Sequence, residues 1–116
     1  MLTPLYMLLN QTGKIRAYKL VGPTMVGAHR GGVKYEVGKI AKGTPANTDE
    51  KTQYGAGINL ATLDWCLKEY SPDCHILLCE FTKRDIACIP IGSDGKFRVH
   101  KCRVVRKMRL SEVGLT

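Results

Sequence analysis

Hydrophobic and polar residues follow the two-residue period of β-strands along several stretches of this chain. Residues 33–37 alternate cleanly, with Val, Tyr and Val on one face, and residues 15–20 alternate apolar with basic side chains. Residues 76–78 form a continuous apolar run, which is typical of a strand that is covered on both faces. Further strands are predicted at residues 5–10, 86–91 and 97–105.

A helical spacing of apolar residues occurs in the middle of the chain. The residues at this spacing are Leu60, Leu63, Leu67 and Tyr70. Pro72 sets the end of the helix at about Tyr70, because proline cannot continue a helix. We therefore predict an α+β protein, in which a mainly antiparallel sheet of five or six strands packs on one principal helix at about residues 60–70.

The length of 116 residues predicts a single globular domain over residues 1–116. The polar, turn-rich stretch at 43–53 is predicted to be a mobile loop, and the tail at 111–116 is predicted to fray. No apolar run approaches the ~20 residues of a membrane helix. The apolar start lacks a basic region and is broken by Pro4, so we interpret it as a strand and expect a cytoplasmic protein that contacts no membrane.

The chain has five cysteines, an odd number, and no Cys-x-x-Cys pair. The shortest spacing, between Cys74 and Cys79, would point the two thiols to opposite faces of a strand. We therefore interpret the cysteines as small buried hydrophobic residues in a reducing cytosol, and expect no metal or other cofactor. A metal site, a disulfide and a reactive thiol are the alternatives that the sequence leaves open.

Charge is the strongest compositional signal, with a formal net charge of +8 and a pI near 9.4. Such a surplus favours an anionic partner: nucleic acid, a nucleotide or an acidic protein surface. It is densest from Lys96 to Arg109, where seven Lys and Arg occur without an acidic residue. If Phe97 and Val99 face the core, the basic residues between and after them form an outward stripe on a C-terminal hairpin.

The candidate ligand-binding residues of this stripe are Arg98, His100, Lys101, Arg103 and Arg106. Lys83 and Arg84, at a neighbouring charged turn, would extend the patch. The alternative is a basic edge that prevents strand-to-strand aggregation, and an exposed edge would also allow a homodimer. A second candidate is the pair His29 and Arg30, because the flanking glycines let backbone N–H groups approach a phosphate; a plain exposed turn is the alternative there.

Two further side chains are candidates for function. Trp65 points away from the apolar stripe of the helix, so it is either exposed for a partner protein or packed under a neighbouring loop or sheet edge. Glu80 ends the apolar strand and is expected to be half-buried, with either a raised pKa or, as the favoured alternative, a salt bridge to a basic neighbour. No catalytic motif is present, so we name no catalytic residues and favour a protein that is not an enzyme.

Five short motifs occur in order along the chain: Ala17–Leu20, Tyr35–Lys39, Gly55–Thr62, Ile89–Pro90 and Gly95–Val99. In these motifs the chain resembles, over roughly residues 15–109, a family of uncharacterised small domains of bacteriophages, prophages and large DNA viruses, which sometimes occur next to pentapeptide repeats. The chain departs from the family at Gln53 and Tyr54, where other members have a cysteine. The resemblance implies a viral or prophage accessory protein that acts in the host cytoplasm.

In a weaker resemblance, Tyr35, Gly57 and Glu80 would match the arrangement of the NAD-binding half of ADP-ribosyltransferases, although the usual catalytic signatures are absent.

Three hypotheses follow from the residues and the resemblances. The first is a non-enzymatic viral accessory protein that binds nucleic acid or a phosphorylated nucleotide through the basic C-terminal hairpin. The second is a protein-interaction module that inhibits or recruits a host factor through Trp65 or the loop at 43–57. The third is an NAD-dependent transferase.

Overall fold

A computed structural model describes residues 8–23, 35–42, 58–90 and 94–114. Within them the chain forms seven strands, a principal helix α1 (Leu63–Glu69) and two short 3-10 turns at Lys83–Asp85 and Leu110–Val113. The α+β class and the principal helix are confirmed. The strands are β1 (Ile15–Val21), β2 (Ile40–Lys42), β3 (Ile58–Ala61), β4 (His75–Phe81), β5 (Ile86–Cys88), β6 (Lys96–Val99) and β7 (Lys101–Lys107).

All seven strands belong to one sheet, with the order β2-β7-β4-β1-β3-β6-β5 and antiparallel pairing throughout. Only His100 separates β6 from β7 in the chain, yet three strands lie between them in the sheet. In a flat sheet β6 and β7 would be about 19 Å apart. Three consecutive residues span at most about 7.6 Å. The sheet therefore coils on itself until the bend at His100 joins its two sides.

The main core fills the inside of this coil. Inward-facing apolar residues of β1, β3, β4, β6 and β7 are almost completely buried there, and the rings of Phe81 and Phe97 have centroids 5.5 Å apart. Strand alternation supplies this face, because alternate residues of β1 point inward while the residues between them point outward. The inward residues are Ile15, Ala17, Lys19 and Val21.

Helix α1 covers part of the outer face of the sheet, where a second apolar cluster includes Cys66 of the helix and Ile76 of β4. The Thr62 hydroxyl accepts a hydrogen bond from the backbone N–H of Trp65 at 3.3 Å and caps the start of α1. The helix ends before Tyr70, as the position of Pro72 predicts. Its beginning was predicted too early, because Ile58–Ala61 form strand β3 and carry Leu60 into the inner core instead.

Other sequence-based boundaries also change. In the described part of the predicted first strand, Leu8 and Leu9 are helical and Asn10 lies in a turn. Residues 35–37 are not in a strand: Tyr35 is buried but Val37 lies exposed in the turn before β2. The predicted strand at 97–105 is divided by a bend at His100, and the register of β7 shifts opposite Leu78 and Cys79. The loop at 43–53 lies outside the described residues.

Candidate functional site

A cleft of about 440 Å³ opens at the end of the coiled sheet where β4 ends and β7 begins. We call it the basic cleft, because four of its ten lining residues are Lys or Arg. Two acidic, one hydroxyl and three apolar residues complete the lining. The lining residues are Lys14, Ile40, Glu80, Phe81, Thr82, Arg84, Asp85, Lys101, Cys102 and Arg103.

The four cations come from three separate parts of the chain. Lys14 immediately precedes β1, Arg84 lies in the 3-10 turn after β4, and Lys101 and Arg103 begin β7. On β7 the alternation is responsible, because Cys102 and Val104 are buried and leave the residues before and between them exposed. The coiling of the sheet then brings these three segments to one end of the molecule.

The turn that carries Arg84 is held by a reciprocal cap. The backbone N–H and the hydroxyl of Thr82 donate to the Asp85 carboxylate at 2.9 and 3.1 Å, and the backbone N–H of Asp85 donates to the Thr82 carbonyl at 2.9 Å. The backbone N–H of His100 donates to the carbonyl of Asp85 at 2.7 Å and ties the turn to the bend before β7. Arg84 is therefore presented from a fixed backbone, and the Asp85 carboxylate is already engaged.

Glu80, the second acid of the cleft, accepts two cations. Its carboxylate lies 3.4 Å from Lys14 Nζ and 3.6 Å from Arg16 Nε, and its side chain is only 12% exposed. The salt bridge that was favoured for Glu80 from the sequence is confirmed. Because both cations engage its carboxylate, Glu80 anchors Lys14 at the rim of the cleft. The same ion pairs leave the carboxylate without the free position that a general base needs.

The remaining cations of the cleft lack such balance. In the described part of the chain, no carboxylate forms an ion pair with Arg84, Lys101 or Arg103. Lys42 of β2 is in direct register with Lys101, so two like charges face each other across neighbouring strands. Such a pair is destabilising unless an anion lies near it. The chain therefore holds a concentration of positive charge here that its own described carboxylates do not neutralise.

The predicted ligand residues divide between this cleft and other places. Lys101 and Arg103 line the cleft. His100 is exposed at the bend before β7 but does not line it. Arg106 is exposed, and its Nη1 donates to both carboxylate oxygens of Glu112 at 2.7 and 2.6 Å. His29 and Arg30 lie outside the described residues.

Arg98 requires a correction. It lies on the face opposite Phe97 and Val99, as predicted, but its side chain is completely buried rather than exposed. The reason is the position of β6, which lies between β3 and β5, with Arg98 in register with Asn59 on one side and Cys88 on the other. An exposed stripe through Arg98, His100 and Arg103 therefore does not exist.

Trp65 is half-buried and packs against the outer apolar cluster. Lys96 Nζ lies 5.5 Å from the centroid of the indole ring, within the range of a cation–π contact. The indole Nε1 is buried, and no described residue accepts a hydrogen bond from it. This arrangement matches the packing alternative for Trp65 more closely than an exposed platform for a partner.

The cysteines are all free, and four of the five are buried. Burial raises the pKa of Cys66 to about 12, and a hydrogen bond with Cys102 together with burial raises the pKa of Cys79 well above its usual range. These two thiols are therefore protonated and unreactive at neutral pH. Residues suitable for a metal do not cluster anywhere in the described ranges. The same ranges contain no helix that is long and apolar enough to span a bilayer.

Sequence reasoning missed Lys14 and the role of Glu80 in the cleft. The neighbours of a strand are not encoded locally, so nothing at Lys14 indicates that it meets Arg84 and Lys101. The available signal was weaker: Lys83 and Arg84 at a charged turn, and basic residues alternating with buried ones after His100.

In comparisons with known proteins, no family model, curated protein or solved structure matches the chain. The resemblance to viral and prophage domains therefore stays a prediction from its motifs.

Proposed function

We propose that this protein binds an anionic ligand, a nucleic acid or a phosphorylated nucleotide, through the basic cleft and does not catalyse a reaction on it. The observation that carries the proposal is the convergence of Lys14, Arg84, Lys101 and Arg103 on one concave volume. Three of these cations have no carboxylate partner among the described residues. Phosphate oxygens are the groups that such a set of donors recognises best.

The alternative of a protected sheet edge does not account for Arg103. Basic side chains block aggregation where a strand has unpaired backbone groups on one side. Strand β7 lies between β2 and β4 in the sheet, and Arg103 is in register with a residue on each side, Ile40 and Glu80. Arg103 therefore has no edge to protect, which favours a ligand as the reason for its placement.

The acidic groups of the cleft support a binding role rather than catalysis. Glu80 is paired with Lys14 and Arg16, and Asp85 caps its own turn. Neither carboxylate is available as the free base that the transferase alternative requires of Glu80. The protein-interaction alternative names Trp65, whose ring packs against Lys96 and the outer apolar cluster, or the loop at 43–57, which lies outside the described residues.

The resemblance to domains of bacteriophages, prophages and large DNA viruses adds a biological setting. We propose on that basis that the protein binds its ligand in the cytoplasm of an infected host cell, where nucleotides and nucleic acids are abundant. The setting rests on the motifs alone, and the binding role rests on the cleft.

The test is a comparison of two double variants with equal loss of charge. Lys101→Gln with Arg103→Gln removes two cations of the cleft, whereas Lys107→Gln with Arg109→Gln removes two exposed cations from the other end of β7 and its continuation. Binding of a fluorescent oligonucleotide and of a labelled nucleotide is measured over a series of salt concentrations. We expect the cleft variant to lose at least about tenfold in affinity and to show a flatter dependence on salt.

Equal losses in the two variants would show that net charge alone drives binding, and would remove the cleft from the proposal. No binding of either ligand to the wild type would remove anion binding altogether.

A further inference from the structure

The basic cleft concentrates charge at one place instead of along a track. Its cations approach a single volume from β7, from the 3-10 turn and from the residue before β1. A protein that follows a polynucleotide backbone presents its cations along a groove that tracks the successive phosphates. Convergence from three directions suits a single phosphate group that presents several oxygens at once.

The size of the cleft points the same way. A volume of about 440 Å³ lies within the range of sites that enclose one small molecule. Sites for single-stranded nucleic acid instead cover several nucleotides and use exposed aromatic rings on which bases stack. None of the aromatic side chains in the described residues is exposed, and Phe81 at the cleft is only 3% exposed. The cleft therefore lacks the aromatic platforms of a single-strand binding site.

The charge of the cleft suits a group that carries more than one negative charge. Its four lining cations and two lining carboxylates leave a surplus of two positive charges, to which Arg16 beside Glu80 and Lys42 beside Lys101 add. A phosphate monoester carries about −1.5 to −2 at neutral pH. A phosphodiester carries a single negative charge for each phosphate, so it would leave part of the surplus uncompensated.

An apolar surface lies beside the cations for the remainder of the ligand. Ile40, which is 64% exposed at the rim, supplies this surface, since Phe81 and Cys102 in the lining are almost completely buried. Bringing an organic group against Ile40 would remove apolar surface from water, which inorganic phosphate cannot do. The cleft thus offers one region for a dianionic group and a neighbouring one for an organic body.

We infer that the ligand of the basic cleft is a small organic phosphate monoester of mononucleotide size, bound through its terminal phosphate. This inference rests on the proposed function and narrows it, because it excludes the phosphodiester backbone of a nucleic acid as the group that the cleft recognises. Arg84, Lys101 and Arg103 hold the phosphate oxygens, and Lys14, anchored by Glu80, completes the positive rim.

Titration calorimetry with four probes tests this directly. Adenosine 5′-monophosphate carries the monoester, adenosine 3′,5′-cyclic monophosphate has the same base and sugar with a diester, adenosine has no phosphate, and inorganic phosphate has no organic body. We expect the 5′-monophosphate to bind most tightly, with the cyclic compound and inorganic phosphate each at least about tenfold weaker and adenosine without measurable binding. Lys101→Gln should weaken binding of the 5′-monophosphate by about tenfold, and Lys107→Gln on the same strand should not.

The outcomes separate the inference from the proposed function. Equal affinity for the two adenosine phosphates would overturn the choice of a monoester, and equal affinity for inorganic phosphate would overturn the organic body. A thymidine oligonucleotide of about 20 nucleotides is added as a fifth probe. If it binds through Lys101 while the 5′-monophosphate does not bind, the inference fails and the proposed function stands. If neither binds, both fail.

Discussion

At the scale of single residues, the least expected feature is a lysine inside the coil of the sheet. Lys19 is 8% exposed, donates from Nζ to the backbone carbonyl of Asn59 at 2.7 Å, and lies 5.5 Å from the centroid of the Tyr35 ring. Burial lowers the pKa of Lys19, because the charged form loses its hydration. Strand alternation alone predicts that residue 19 faces inward. It does not predict that the ammonium group of a lysine stays inside the coil of the sheet.

The lowered pKa of Lys19 predicts a pH-dependent stability. Between its folded pKa and its usual value of 10.5, the unfolded chain holds a proton that the folded chain has lost. Raising the pH through that window therefore stabilises the folded state, by about 1.4 kcal/mol for each pH unit within it. We expect urea unfolding to show that the wild type gains stability relative to Lys19→Met between pH 7 and pH ~10.5.

The comparison with Lys19→Met removes the effects of the groups that do not interact with Lys19, because both proteins share them. A constant difference between the two proteins over that range would show that the folded pKa of Lys19 is not lowered.

Gly95 is the second residue whose identity the structure requires. Its φ of +128° is rarely adopted by a side-chain-bearing residue, and a Cβ there would lie 2.8 Å from the Thr62 hydroxyl and 3.3 Å from Trp65 Cβ. We expect Gly95→Ala to destabilise the protein by at least about 2 kcal/mol more than Gly13→Ala, measured by chemical unfolding. Gly13 is the matched control, because its φ of +71° is also positive but its Cβ would meet open space. Similar losses of unfolding free energy at both positions would show that Thr62 and Trp65, at the start of α1, shift easily to make room for the new methyl group.

At the scale of elements, the C-terminal 3-10 turn is held to β7 by one acidic residue. Glu112 accepts two hydrogen bonds from Arg106 and one from the backbone N–H of Arg109 at 3.1 Å, and Val113 is buried beneath the turn. The hydrogen bond from the Arg106 side chain is the main reason that the pKa of Glu112 falls to about 2. Arg106, a candidate ligand residue from the sequence, therefore has a structural partner.

Glu112→Gln should loosen this turn. The folded pKa lies below the usual value of 4.5, so the stabilisation is fully present above about pH 4.5 and is lost as the pH falls to about 2. We expect amide hydrogen exchange of residues 110–113 to be faster in the variant at neutral pH. The difference between the two proteins should shrink as the pH approaches 2, and a difference that persists there would contradict the role of the carboxylate.

Elements also show what the sequence could predict. The end of α1, the burial of β4, and the exposure of Lys101 and Arg103 all follow from local periodicity or turn residues. Leu60 was misassigned because its spacing fits a helix as well as it fits strand β3. A short apolar segment fits the helical period and the strand period equally well. Here the pairing of β3 with β1 and β6 makes the segment a strand.

At the scale of the whole molecule, the cleft could not be predicted because it depends on strand order. The chain places β6 and β7 next to each other in sequence, but the sheet places three strands between them. This order buries Arg98 in the interior of the sheet and joins Lys101 to Lys14 and Arg84. Charge density in the sequence therefore identified the right segment, and only the topology separates its structural arginine from its exposed cations.

The unbalanced charge of the cleft predicts a conflict between stability and function. Without a ligand, Lys101 faces Lys42 across two strands, and the whole chain carries a net charge of +8. Lys101→Gln removes this repulsion, which is worth roughly 0.2–1 kcal/mol, so we expect the ligand-free variant to melt up to about 4 °C above the wild type at low salt. Lys107→Gln lowers the net charge equally but relieves no such pair, and should change the melting temperature less.

Addition of a ligand that binds the basic cleft should reverse the order of the melting temperatures of the wild type and Lys101→Gln. A ligand at 100 times its dissociation constant stabilises the folded state by about 2.7 kcal/mol, and the wild type retains this gain while Lys101→Gln loses most of it. With adenosine 5′-monophosphate as the probe, thermal melts should therefore cross: the variant is more stable in buffer, and the wild type is more stable with the ligand. A destabilised Lys101→Gln in low-salt buffer would mean that Lys101 supports the fold, whereas crossing melts would identify it as a residue kept for binding at a cost in stability.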